Sequence, residues 1–130
     1  MRILTVHEPW AWAFFVAGKD VENRSRPTKY RGPLAIHVSK KKLNESELTE
    51  INNAIIKASG LLGSVMTLTA DEKLRGHIIG VVDLVDCVKI SPWAMPGFYH
   101  WGIANPRRVK PVPIVGQLGI FERDIELEFI

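Results

Sequence analysis

Three ionisable residues, Lys19, Glu22 and Arg24, stand together just after the apolar run Trp10-Ala11-Trp12-Ala13-Phe14-Phe15-Val16-Ala17. If Val21 to Arg24 is extended, Glu22 and Arg24 share one face, because side chains alternate along a strand. Lys19, at the end of the apolar run, can point into the same space. A lysine beside a carboxylate serves as a general base or nucleophile once burial lowers its pKa. The carboxylate can instead shuttle a proton, and a guanidinium clamps a phosphate or carbonyl oxygen. An ordinary surface ion-pair cluster has the same spacing, so the trio alone leaves recognition, catalysis and surface pairing open.

The surroundings favour an anionic, aromatic ligand. Between Lys19 and Lys42 lie eight basic residues (Lys19, Arg24, Arg26, Lys29, Arg31, Lys40, Lys41, Lys42) against only Asp20 and Glu22. The rest of the chain holds nine basic and twelve acidic residues, so a basic segment sits on a mildly acidic body. A smaller basic cluster follows at Arg107, Arg108 and Lys110. Trp10, Trp12, Tyr99 and Trp101 offer flat surfaces on which bases stack, each worth roughly 1–3 kcal/mol by truncation. His37 and Ser39 face the same way on a predicted strand, and Lys40 follows them. His7, His77 and His100 are too scattered for a metal site, and the chain has no H-E-x-x-H, no paired CxxC and no glycine-rich phosphate loop. No resident cofactor is expected; a transient magnesium held by Glu22 and a substrate phosphate stays compatible with these residues. The single cysteine, Cys87, forms no internal disulfide and no zinc site by itself.

The elements that must position these residues follow from pattern. At 130 residues, 46% apolar and 24% charged, the chain fits one globular domain over residues 1–130. No apolar run approaches the roughly 20 residues needed to span a bilayer, and no export signal opens the sequence, which predicts a soluble cytoplasmic domain with no membrane partner. Nothing in the sequence fixes an oligomeric state. Arg2 to Val6 reads as a strand; Pro9 opens and Gly18 closes a short helix that is apolar all round. Val21 to Arg24 is a brief strand, Arg26 to Pro33 a loop, and Leu34 to Ser39 a strand. Asn44 and Glu47 form an N-cap signature ahead of Leu48, Ile51, Ile55 and Ala58 at helical spacing, with Gly60 as the stop. Leu61 to Arg75 follow neither period and read as an excursion that leaves open a lid over the cleft. Gly76 to Val88 is the longest strand, with Gly80 marking a bend or bulge. Pro92 to Asn105 reads as an aromatic loop ending in a strand at Trp101 to Ala104, and Val109 to Val115, with Pro111 and Pro113, as an edge strand or strap. Leu118 to Glu122 is short and apolar, and Asp124 to Phe129 alternates as a half-buried strand. About six strands and two helices with unequal connections predict an α+β domain, a small mixed β-barrel with flanking helices.

Three stretches carry a resemblance: Ile3-Leu4-Thr5-Val6-His7-Glu8-Pro9-Trp10-Ala11-Trp12, Gly18-Lys19-Asp20-Val21-Glu22-Asn23-Arg24, and Tyr30-Arg31-Gly32-Pro33-Leu34-Ala35-Ile36-His37-Val38-Ser39-Lys40. Together they resemble the ASCH domain family, a branch of the PUA-like superfamily. Lys19, Glu22 and Arg24 match its G-x-K-x-x-E-x-R pattern, with Ala17 at the first glycine position. Glu8 stands where the family usually carries glutamine, and its charge is expected to weaken phosphate binding nearby. The resemblance implies a PUA-like barrel whose cleft is lined by the lysine motif and aromatics, and a link to RNA. Relatives that hydrolyse acetylcytidine carry a lysine at the position of Lys19 but a threonine at that of Glu22. Glutamate suits proton transfer or metal binding better than nucleophilic attack, so that mechanism does not transfer intact.

Taken together, the residues and the resemblance predict a domain that binds RNA or a modified nucleobase beside Lys19, Glu22 and Arg24. Trp10, Trp12 and Trp101 are the stacking candidates. Lys29, Arg31, Lys40 and Arg107 are the phosphate contacts, and His37 and Ser39 the polar ones. The alternative is a hydrolase, either a ribonuclease on single-stranded RNA or an amidohydrolase of a modified nucleoside such as acetylcytidine. There Lys19 would activate the attacking group, Glu22 relay protons and Arg24 stabilise negative charge. A protein-docking role for Pro92 to Pro113 has little support in the residues.

Overall fold

A computed structural model of the chain describes residues 1–60 and 71–130. Six strands, β1 (Arg2–Val6), β2 (Val21–Arg24), β3 (Gly32–Val38), β4 (His77–Asp86), β5 (Tyr99–Pro113) and β6 (Ile120–Glu122), form one sheet in the order β2-β5-β4-β3-β1-β6. Only β1 and β3 run parallel; the other pairs are antiparallel. The sheet curls into a mixed half-barrel flanked by two helices, in line with the α+β PUA-like expectation.

The central strands are apolar on both faces because both faces are covered. Leu4, Val6, Leu34, Ile36, Val38, Val82 and Leu84 fill one side, while Ile3, Ala35, Ile78 and Val81 fill the other. Helix α1 (Trp10–Val16) lies over the first side, where Ala11 and Phe14 are fully buried. Helix α2 (Glu45–Ser59) opens with a complete capping box. The Asn44 side chain accepts from the Glu47 amide at 2.8 Å, and the Glu47 carboxylate accepts from the Asn44 amide at 3.1 Å. Its Ile51, Ile55 and Ala58 pack against Ala13, Val21 and Trp93, so α2 braces α1 and the start of β2. No helix among the described residues is long and apolar enough to cross a membrane.

Two expectations change. The loop and strap expected between Pro92 and Val115 resolve into a short irregular stretch followed by one continuous strand, β5, which runs through Pro106, Pro111 and Pro113. Its prolines fall in the half that β2 does not cover, since β2 pairs only with Tyr99 to Gly102, and there the outer side meets the irregular tail through a bridge at Val109. The tail expected as a strand over Asp124 to Phe129 is an irregular strap with one bridge, Val109 to Phe129. Its alternation is real, since Ile125 and Leu127 pack on the core, but period two reports burial parity and not hydrogen-bond partners. Of the excursion read over residues 61–75, residues 61–70 lie outside the described residues. The remainder contains a 3-10 turn at Glu72–Leu74.

Gly80 fixes how closely α1 approaches the sheet. A Cβ there would overlap the Phe15 ring and stand 2.8 Å from the Arg107 carbonyl oxygen. Overpacking of this kind costs about 1–3 kcal/mol, so Gly80→Ala should lower unfolding stability by that amount in urea titrations. An unchanged midpoint would contradict the placement of α1 on β4.

Candidate functional site

The cleft opens where β1 and β3 end, and it encloses about 1020 Å³. Its floor is the end of β1 with Lys19, Glu22 and Arg24; Trp10 and residues 50–54 of α2 form one wall. Met95 and Phe98 line a second wall, the segment from Ile114 to Gly119 a third, and Lys40 and Lys41 sit at the rim.

The trio is assembled by local chain geometry. Gly18, at φ +73°, lets the chain leave α1 in a left-handed turn, and the Lys19 amide returns to the Ala13 carbonyl at 3.1 Å. Lys19 therefore turns back under its own helix, with its ammonium 4.5 Å from the Trp10 ring centroid and 4.4 Å from that of Phe14. In β2, Glu22 and Arg24 face the same side. Glu22 Oε1 accepts from Lys19 Nζ at 2.9 Å and Oε2 from Arg24 Nε at 2.8 Å. Arg24 Nη2 also donates to the Thr5 carbonyl at 3.1 Å, tying β2 to the end of β1.

This is a buried network and not a surface ion pair: Lys19 is 4% exposed and Glu22 6%. Burial alone would push the Glu22 carboxyl up, but Lys19 and Arg24 outweigh it and hold it below the usual carboxylate range. Burial likewise pulls the Lys19 ammonium down, and Glu22 counters it. Two cations on one carboxylate leave the trio with a net positive charge. Both Glu22 oxygens already accept from a cation. Neither Lys19 nor Glu22 bonds a hydroxyl, a thiol or an imidazole among the described residues, so the trio holds no nucleophile poised beside a base.

The structure gathers only some of the other candidates. Trp10, His37, Ser39 and Lys40 line the cleft with the trio. His37 donates from Nε2 to the Ile114 carbonyl at 3.0 Å, because a carbonyl only accepts, and so Nδ1 accepts the Thr5 hydroxyl at 3.0 Å. Burial holds the His37 pKa down, consistent with that neutral ring. Ser39 accepts from the Lys41 amide at 3.1 Å and shapes the rim. Trp12 packs toward α2, Trp101 is buried in the core with Nε1 donating to the Arg26 carbonyl, and neither lines the cleft. Lys29 and Arg31 belong to the loop at the opposite end of the sheet, where β1 and β3 begin. Arg31 bonds the carbonyls of Thr28 and Tyr30 there. Arg107 is paired with Asp83 at 3.0 Å, away from the cleft. Glu8 is not a cleft residue either: its carboxylate accepts the Trp12 amide at 2.7 Å and caps the first turn of α1, and burial pushes its pKa up.

Residue types alone gave no reason to single out Asn23, which is central. Its side chain donates to the Trp93 carbonyl at 3.0 Å and accepts from the Met95 amide at 2.9 Å, so the strand that carries the trio also holds the Met95–Phe98 wall. Asp20 adds a bond from Ser91 at 2.7 Å and an ion pair with Lys89. The only available signal was parity, since Asn23 lies between Glu22 and Arg24 and must face the other side of β2.

A curled mixed half-barrel with flanking helices and a charged cleft at one end is the architecture of the PUA-like superfamily. Within it, the ASCH domain profile matches residues 4–113, and the chain belongs to the ASCH domain family. It is 34% identical over 85 residues to human activating signal cointegrator 1. The match covers 65% of this chain but only 14% of that protein.

Removing one partner of a buried pair leaves a charge without compensation, at about 3–5 kcal/mol. Lys19→Met should therefore cost about 3 kcal/mol, and the double variant with Glu22→Leu should recover part of that loss in a double-mutant cycle. Because the folded Glu22 pKa lies below its unfolded value, its contribution is present above the unfolded pKa of about 4.5 and lost as pH falls through the folded one. Acid unfolding of Glu22→Leu should accordingly be less steep than that of the wild type in the range below about pH 4.5.

Proposed function

We propose that the cleft binds RNA or a modified nucleobase, as the sequence reading anticipates. One observation carries this: a net positive trio, with Lys19 and Glu22 buried and Arg24 partly exposed, at the floor of a wide cleft that also presents Trp10, Met95 and Phe98. The cation attracts phosphate, and the apolar walls accept the faces of bases. Arg24 is the accessible member, because Nε and Nη2 are committed to Glu22 and Thr5 while Nη1 bonds no described residue. Lys40 and Lys41 at the rim extend the positive track. Lys19 serves this reading as the buried charge that fixes Glu22 and, through it, the Arg24 guanidinium. The similarity to human activating signal cointegrator 1 supports the family assignment that motivates the reading.

The test is fluorescence anisotropy with a twelve-nucleotide oligouridylate over a salt series. Contacts to about three phosphates predict a slope near −2 in log K against log salt, at about −0.7 per phosphate for single strands. Replacing Arg24, Lys40 and Lys41 together by glutamine should weaken binding at least tenfold and flatten that slope. Replacing Lys29 and Arg31 should change little. Salt-independent binding, or loss only with the Lys29 and Arg31 variants, would sink the assignment. Shortened RNA products, absent with Lys19→Ala, would favour the hydrolase alternative.

A further inference from the structure

Three of the four histidines have at least one ring nitrogen engaged by the protein: His37 through both, with Thr5 and Ile114, His77 through Nδ1 with the Arg75 carbonyl, and His100 through Nε2 with the Met95 carbonyl. His7 differs. It is exposed, it lines the cleft just past the end of β1, and neither ring nitrogen bonds any described residue. Its backbone carbonyl is used, accepting the Ala11 amide at 3.1 Å, so the residue is anchored by α1 while its imidazole stays available.

The charged groups facing this imidazole come from three directions: Arg24 and Glu22 on β2, Lys41 after β3, and Glu47 on α2. Partial burial, Lys41 and Arg24 hold the His7 pKa below its ordinary value, and the two carboxylates only partly offset them. An anion that neutralises Arg24 and Lys41 removes the repulsion that kept the ring neutral, and it supplies an acceptor for a ring N–H.

We propose that His7 is a proton-coupled ligand contact, whose imidazole takes up a proton and donates a charge-assisted hydrogen bond when a phosphate group binds beside Arg24 and Lys41. The proposal rests on the RNA reading of this cleft and adds its regulation: RNA is held more tightly as pH falls. The proton comes from solvent and returns to solvent on release, so no bond to phosphorus forms or breaks. The linkage has a fixed sign. Binding raises the His7 pKa, so affinity is highest below the free-protein value and declines as pH rises toward the bound value.

The probe is a twelve-nucleotide oligouridylate without terminal phosphates, because neither its uracils nor its phosphodiesters titrate between about pH 5.5 and about pH 7.5. For the wild type, dissociation constants should be about three- to tenfold lower at the acid end. Calorimetry in two buffers of different ionisation enthalpy should show net proton uptake on binding. His7→Gln keeps a hydrogen-bond donor but cannot take up the proton. It should fold normally by circular dichroism and lose both the pH dependence and the proton uptake, whatever its affinity at the alkaline end. Equal pH dependence and uptake in His7→Gln and wild type would overturn the proposal while leaving the RNA reading standing. Absence of oligouridylate binding at either pH would overturn the RNA reading, and this inference with it.

Discussion

The architecture turns on a buried positive charge that must not be left alone. Lys19 is taken out of water between two aromatic rings and a carboxylate, and an ammonium without such partners would cost several kcal/mol. Each requirement of that arrangement places another part of the chain. Trp10 and Phe14 must share a helix face, the chain must reverse at Gly18, and β2 must present Glu22 and Arg24 on the side facing α1. Arg24 then reaches the Thr5 carbonyl and stitches an edge strand to β1, which is far away in the sheet order. A four-residue edge strand has few ladder bonds of its own; its side chains hold it on one face through the trio and on the other through Asn23.

The network also decides what the cleft presents. Glu22 is buried and paired with two cations, so it acts inside the protein as a counter-charge and not as a free carboxylate facing a ligand. The outward face of the trio is the remaining edge of the Arg24 guanidinium, with Lys40 and Lys41 nearby. Positive potential thus collects where β1 and β3 end, on a surface already walled by Trp10, Met95 and Phe98. At the other end Arg31 is spent in part on shaping its own loop, and Arg107 on Asp83. Thr5 and His37 link the floor to the Ile114 carbonyl, so the third wall is seated by a neutral imidazole.

Much of this was legible in the sequence. The convergence of Lys19, Glu22 and Arg24 followed from alternation plus a helix stop, and the capping box of α2 from Asn44 and Glu47. What stayed hidden required knowing partners in space. Trp101 and Trp10 are equally aromatic, but Trp101 lies opposite Glu22 in the β2–β5 ladder and turns into the core. Lys29 and Arg31 are neighbours of Arg24 in sequence, yet the chain crosses the sheet between them, and a basic run carries no record of strand direction. Asn23 holds the wall through backbone atoms seventy or more positions away, which no local pattern encodes. Proline counts against strand interiors and so hides β5 as one strand, a rule that yields where β2 stops and only the irregular tail meets the strand's outer side.

The most direct test of the central claim is a map of where RNA touches the protein, from 15N-resolved NMR during titration with the same oligouridylate. If the cleft is the binding surface, the largest shifts fall on the Trp10 indole, the Arg24 guanidinium, and the amides of Lys40, Lys41 and residues 95–98. The Lys29–Arg31 loop and Arg107 stay still. Shifts centred on that loop or on Arg107, with the Trp10 and Arg24 side chains unmoved, would contradict the account.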